Sequence, residues 1–247
     1  MKRMIIMGAS SGIGLRVAEA LASRGFKLGL AARKTETLKE IKDRYPDKVE
    51  YEAIDVTKKD APEQLNKLIE RTGGMDIYFH VAGIGYDNPG LDPEREADII
   101  DTNSTGFARM VSAAYRYFRD NGEKGQIAAV TSVAGTNGIG DMSAYSASKR
   151  MAQTYLVALE QLAHKERCDV AFTDIRPGWI KTPLLHEGRK YPLEMTLDYA
   201  VPGMLRAIAR MKRVAVIDWR WNLVVGLWRM VPNCIWTRMN VGMVTGR

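Results

Sequence analysis

Tyr145 and Lys149 stand four residues apart in the run Tyr145-Ser146-Ala147-Ser148-Lys149. On a helix that spacing puts both side chains on one face. A free phenol titrates near about 10, and a neighbouring ammonium stabilises its phenolate. Tyr145 is therefore expected to give and take a proton near neutral pH. Ser132, in Thr131-Ser132-Val133-Ala134-Gly135, is expected to close the preceding strand. Its hydroxyl can hold a substrate oxygen on which negative charge develops. Asn103, in Thr102-Asn103-Ser104-Thr105-Gly106, falls inside an expected helix, where asparagine is mildly disfavoured, and this hints at a further role.

A second group of residues suits an anion. Gly8-Ala9-Ser10-Ser11-Gly12-Ile13-Gly14 follows an apolar run and opens a helix-like one. Glycines there permit a tight turn, close approach of the backbone to a pyrophosphate, and close packing of helix on strand. The helix N-terminus adds free N–H groups and a positive dipole end. The next strand-like run ends in Ala31-Ala32-Arg33-Lys34, with no acid to accept from a ribose 2′-hydroxyl. Arg33 instead suits a 2′-phosphate, which points to NADP(H) as the cofactor.

These residues need elements to position them. Strand-like runs cover 3–7, 27–32, 49–54, 75–81, 126–132 and 169–175. Helix-like runs cover 13–24, 35–45, 62–71, 93–120 and 144–165. Their alternation predicts βαβ units in an α/β fold, a doubly wound parallel sheet with helices on both faces, within a single domain over residues 1–247. Residues 179–200, with Pro183, Gly188 and Pro192, read as a long substrate loop with short helical pieces. Residues 219–247 read as an apolar and basic C-terminal segment.

At this point the chain resembles the short-chain dehydrogenase/reductase (SDR) family, in its branch with an Asn-Ser-Tyr-Lys tetrad. The pieces that carry the resemblance are Gly8 to Gly14, Asp55-Val56, Ala82-Gly83, Asn103, Ser132, Tyr145 with Lys149, and Arg176-Pro177-Gly178 followed by Ile180 and Thr182. The resemblance implies a Rossmann fold. It places Asp55 and Val56 near an adenine ring, Ala82 and Gly83 along the cofactor, and Lys149 on the nicotinamide ribose. Pro177, Gly178, Ile180 and Thr182 would lie near the carboxamide. Asn103 would hold a water that links Lys149 to solvent. Asn103, Ser132, Tyr145 and Lys149 are then the expected catalytic set. Gly8, Ser10, Ser11, Gly12, Ile13, Gly14 and Arg33 join the other residues named as cofactor contacts. The expected activity is NADPH-dependent reduction of a ketone or aldehyde to an alcohol, or the reverse. Reduction of a 3-oxoacyl thioester on an acyl carrier is an alternative, and a non-catalytic dinucleotide sensor is another. The family also implies a homodimer or homotetramer. Two positions depart from its pattern: Met7 stands where threonine is usual, and His80-Val81-Ala82-Gly83 replaces Asn-Asn/Ala-Ala-Gly. Met7 is expected in the core, and His80 is not expected to be catalytic.

The bulk of the chain agrees with a globular enzyme. It has 247 residues, 46% of them apolar and 26% charged, and a mean hydropathy of −0.23, enough to bury a sizeable core. Cys168 and Cys234 fit no metal-ligand spacing, so no metal is expected and both read as reduced thiols. No charged leader precedes an apolar run at the start, and a cytoplasmic location is expected. The net charge of +7 resides in residues 206–247, where eight basic residues from Arg206 to Arg247 face one acid, Asp218; residues 1–205 carry 28 of each sign. The nucleotide-binding body is therefore neutral, which gives no support to nucleic-acid binding. Four of the five tryptophans lie beyond residue 218, at 219, 221, 228 and 236. The run 219–231 is expected to be a helix, apolar on most sides, with Asn222, Gly226 and Arg229 as a polar strip and Pro232 ending it. It is too short and too charged to span a bilayer. It suits packing over the cleft or against a sister subunit, or a peripheral membrane contact through 219–236, and an apolar or lipid-like substrate fits either.

Overall fold

The computed structural model describes residues 2–185, 191–239 and 241. Gly188 of the expected loop and Arg247 at the end of the basic segment lie outside the described residues. Seven parallel strands form one sheet: β1 (Arg3–Met7), β2 (Lys27–Ala32), β3 (Val49–Ala53), β4 (Ile77–His80), β5 (Gly125–Val130), β6 (Val170–Arg176) and β7 (Val214–Val216). Their order across the sheet is β3-β2-β1-β4-β5-β6-β7. Register follows the apolar runs, with Met7 beside Ala31 on one side and His80 on the other.

Both faces of the sheet are covered, which is why β1 is apolar from Met4 to Met7. Met4 and Ile6 point to one core, shared with α1 (Gly12–Ala22), α2 (Glu36–Arg44) and α7 (Leu197–Ala209). Ile5 and Met7 point to the other, shared with α3 (Ala61–Thr72), α5 (Phe107–Asn121) and α6 (Ser143–Glu166). Proline sits in the first turn of α3, where its missing N–H costs nothing, and Gly73 closes the helix at φ +80°.

Several boundaries differ from the sequence expectations. The stretch 93–120 is not one helix. It is α4 (Pro93–Ile100), a π turn over Asp101–Gly106, and then α5. Asn103 is in that π turn, so its mid-helix position is relieved by a local change of pitch. Strand β5 stops at Val130, and Ser132 lies beyond it, with its hydroxyl accepting from the Ala134 N–H of the next turn. The loop after Trp179 yields to α7 at Leu197, and α7 and β7 were not foreseen. The ends of that loop are pinned by a parallel bridge between Ile180 and Met195. Beyond β7 come α8 (Trp219–Met230) and the short α9 (Asn233–Trp236), with Pro232 just before the latter. Among the described residues no helix is long and apolar enough to cross a membrane.

Candidate active site at the sheet's switch point

The strand order reverses direction between β1 and β4. In an open parallel sheet the crevice outside the strand ends at that point is the natural ligand site. The glycine turn leaves β1 there, and Val81 and Ala82 leave β4 beside it, each donating its N–H to the Met7 carbonyl at 2.8 Å. Gly8 has φ +96°, and a Cβ on it would lie 2.6 Å from the Ala82 nitrogen. A Cβ on Gly14 would lie 2.0 Å from the Gly8 carbonyl oxygen. Gly8 thus serves the turn, and Gly14 serves the contact of α1 with the strand end.

The cleft that opens above is lined by Gly8, Ser10, Ser11, Gly12, Ile13, Arg33, Asp55, Val56, Ala82, Gly83 and Thr182. Gly14 is buried behind it and lines no part of it. Arg33 is exposed at the rim. Burial raises the Asp55 carboxyl, but the Thr57 N–H and hydroxyl and the Arg33 charge outweigh this and hold it below its ordinary value.

A second cleft shares the wall formed by Ile13, Gly83 and Thr182. Ser132, Tyr145, Lys149, Pro177, Gly178 and Ile180 all line it. The rest of its lining is largely apolar, including Val133, Met142, Trp179, Leu184 and Leu185. Tyr145 and Lys149 project from the first turns of α6, with the Lys149 Nζ 5.6 Å from the centre of the Tyr145 ring. The Nζ donates to the Val130 carbonyl at 3.2 Å. Burial pulls the Lys149 ammonium down to about 8, against an upward pull from Asp174. Asp174 is itself buried, accepting from the Thr131 hydroxyl at 2.5 Å and from Arg176 Nε at 2.7 Å.

On balance the phenol is raised, not lowered as the sequence predicted. Burial raises Tyr145, and the Ser132 hydroxyl offsets this in part. The physical reason is that desolvation of the phenolate is the largest influence on Tyr145.

Asn103 does not line the cleft; it stands behind Gly83. Its Oδ1 accepts from the Ile84 N–H at 2.8 Å, and its Nδ2 donates to the Ile84 carbonyl at 2.7 Å and to the Ser148 hydroxyl at 3.3 Å. The side chain therefore ties the loop after β4 to α6. Gly85 in that loop escaped the sequence reading. A Cβ there would meet the Tyr145 ring at 2.6 Å, so Gly85 lets the ring lie against the loop. The signal was its place two residues after Gly83, but its partner lies 60 residues away in the chain. Met7 is fully buried in the core. His80 is also buried, bonded through Nδ1 to the Tyr78 hydroxyl at 3.0 Å. Burial, and then the Lys149 charge, pull its imidazole down to about 3, so it stays neutral. Among the described residues no cluster of His, Cys, Asp or Glu could hold a metal ion.

A doubly wound parallel sheet with a glycine turn at its switch point, and a Ser-Tyr-Lys set in the adjoining cleft, defines a dinucleotide-dependent class of protein. Residues 2–192 match the family model for short chain dehydrogenases, and the chain belongs to that family of oxidoreductases. An uncharacterized oxidoreductase of Myxococcus xanthus is 32% identical over 236 residues, spanning 93% of this chain and 92% of that protein. An alcohol dehydrogenase from the archaeon Thermococcus sibiricus, solved with 5-hydroxy-NADP, is 27% identical with a TM-score of 0.74, over 87% of this chain and 94% of that one. A short chain dehydrogenase from Burkholderia cenocepacia, solved with NADP, has the same fold at a TM-score of 0.82 and 22% identity, over 98% of this chain and all of that one.

Proposed function

We propose that this oxidoreductase uses NADP(H) to interconvert a carbonyl and an alcohol, with Tyr145 as the general acid and base. The observation that carries the reading is the joining of two clefts. The glycine turn and Arg33 line one, Ser132, Tyr145 and Lys149 line the other, and Gly83 belongs to both. The first cleft fits a dinucleotide because its floor has no room for side chains at Gly8 and its far rim carries Arg33 for a 2′-phosphate. The archaeal alcohol dehydrogenase, which takes an NADP derivative, supports the same choice. Ser10, Ser11, Gly12 and Ile13 would face the pyrophosphate, and Asp55 and Val56 the adenine. Ala82, Pro177, Gly178, Ile180 and Thr182 would line the path to the nicotinamide. When bound, the cofactor supplies or accepts the hydride.

The chain's own residues then manage the oxygen and its proton. Ser132 and Tyr145 donate hydrogen bonds to the carbonyl oxygen and polarise it. As negative charge gathers on that oxygen, the Tyr145 phenol gives up its proton to it. The Lys149 ammonium stabilises the phenolate left behind, and its stem would border the nicotinamide ribose. Asn103 fixes the Ile84 segment against α6 and serves the path by which a water returns the proton. The apolar lining from Val133 to Leu185 favours a substrate with an apolar body.

Titration of the protein with NADPH and NADH, followed by quenching of tryptophan fluorescence, tests the cofactor. Tight NADPH binding with much weaker NADH binding is expected, together with turnover of apolar ketones. Equal or tighter NADH binding would overturn the role given to Arg33, and binding of neither would overturn the enzyme reading.

A further inference from the structure

Helix α8 has two apolar faces. One is used by the fold: Trp221 and Val225 are buried, and Trp221 and Trp228 sit edge to face at 6.1 Å, as do Trp228 and Trp236 at 5.4 Å. This inner face backs the cleft, with the Trp221 ring where a side chain on Gly178 would stand and Trp228 against the cluster of Ala134, Ile139 and Met142. The other face is not used. Trp219, Leu223, Leu227 and Met230 recur at helical spacing on the outside, and they are 67, 60, 65 and 79% exposed. Ile235 in α9 and Met239 beyond it are exposed as well. A continuous apolar stripe of this kind on a soluble body marks a contact surface.

Charge selects the occupant. Residues 219–241 contain Arg220, Arg229 and Arg238 and no acidic residue. On the helical wheel Arg220 borders the outer stripe on one side, and on the other a polar strip of Gly226, Asn222 and Arg229 separates it from the buried face. Arg220 is paired with the buried Asp218, whereas Arg229 and Arg238 form no ion pair with a described residue. Apolar residues with an exposed tryptophan, in a segment that carries three arginines and no acid, match the boundary of an anionic lipid layer, where acyl chains meet phosphates. A second copy of the chain fits less well, because a two-fold contact would set the same basic rim against itself. We propose that α8 and α9 form a peripheral docking surface for an anionic membrane. The outer stripe would enter the headgroup boundary while the inner face holds the cleft wall. The proposal goes beyond the redox reading and does not depend on it.

The test is co-sedimentation of the full-length protein with vesicles of phosphatidylcholine alone or enriched in phosphatidylglycerol, at low and high salt. Binding to the phosphatidylglycerol vesicles alone is expected, weakened by salt. The double variant Leu223→Gln/Leu227→Gln should lose more than about tenfold in partitioning, and Arg229→Glu/Arg238→Glu should lose selectivity for the anionic lipid. Both replace exposed side chains, and unchanged melting and nucleotide binding would show that they fold. Equal binding to both vesicle types would overturn the assignment of an anionic surface. Binding to neither would overturn the proposal. If in addition the solution mass of the leucine variant fell to that of a smaller assembly, the stripe would belong to a subunit interface instead.

Discussion

The proposed proton chemistry rests on two groups whose environments push them in opposite directions. Burial keeps Tyr145 protonated and brings the Lys149 ammonium down to about 8. The role proposed for Lys149 needs its charged form, so its contribution is complete below that value and is lost as pH rises through it. The kcat/KM for reduction is therefore expected to fall above about pH 8. Asp174 pulls Lys149 upward, so Asp174→Asn should move that alkaline limb to lower pH, and an unmoved limb in the pH profile would show that the two groups are not coupled. Tyr145→Phe should lower kcat by roughly 10²–10⁴-fold, as loss of a general acid does, with a nucleotide affinity close to wild type by fluorescence titration. Arg33→Ala should weaken NADPH more than NADH, with the ratio of the two dissociation constants dropping by about tenfold or more. These residues were legible because their signals are local: Tyr145 and Lys149 share a helix turn, and Arg33 ends a strand. Gly85 and Asp174 were not, because what matters about each is a neighbour brought up by the fold.

At the scale of elements, periodicity located the strands that carry the site to within a few residues. It failed where pitch changes. A π turn adds a residue to the helical count without breaking the polar pattern, so 93–120 reads as one helix until backbone bonds are seen. The weak helix formers Thr102, Asn103, Ser104, Thr105 and Gly106 were the available hint. Strand β7 has three residues and follows a loop, too short for an alternating pattern to register. The junction of β1 with α1 is the least tolerant element. Because a Cβ on Gly14 would fall 2.0 Å from a backbone oxygen, relief requires moving the helix off the sheet. Gly14→Ala is expected to lower the melting temperature and to abolish nucleotide binding, both measurable in one thermal-shift series with and without NADPH.

For the molecule as a whole, the C-terminal segment is a buttress as well as a surface. The Trp221 indole donates to the Leu193 carbonyl at 3.3 Å, the Trp236 indole to the Gly138 carbonyl at 2.7 Å, and Asn137 donates to the Trp228 carbonyl at 3.1 Å. Two separate loops around the cleft, one at Leu193 and one at Asn137–Gly138, are thus held by one short tail. Trp221→Ala should cost about 3–5 kcal/mol, the range for emptying a large buried aromatic site, measured by denaturant unfolding. The same variant should lose activity out of proportion to its nucleotide affinity, since the wall it supports belongs to the substrate cleft. The order of strands carries one more consequence, for the chain as it is made. β1 is synthesised first yet lies inside the sheet. Its partner on one side is complete by Ala32, while the other edge, Met4–Met7, has no neighbour until Ile77–His80 has emerged. Through that interval the nascent chain presents an apolar, unpaired edge of the kind that templates association with other chains. The glycine turn that ends β1 is thus made before the strand that shelters it, and chaperone capture during synthesis should fall once residue 80 clears the ribosome.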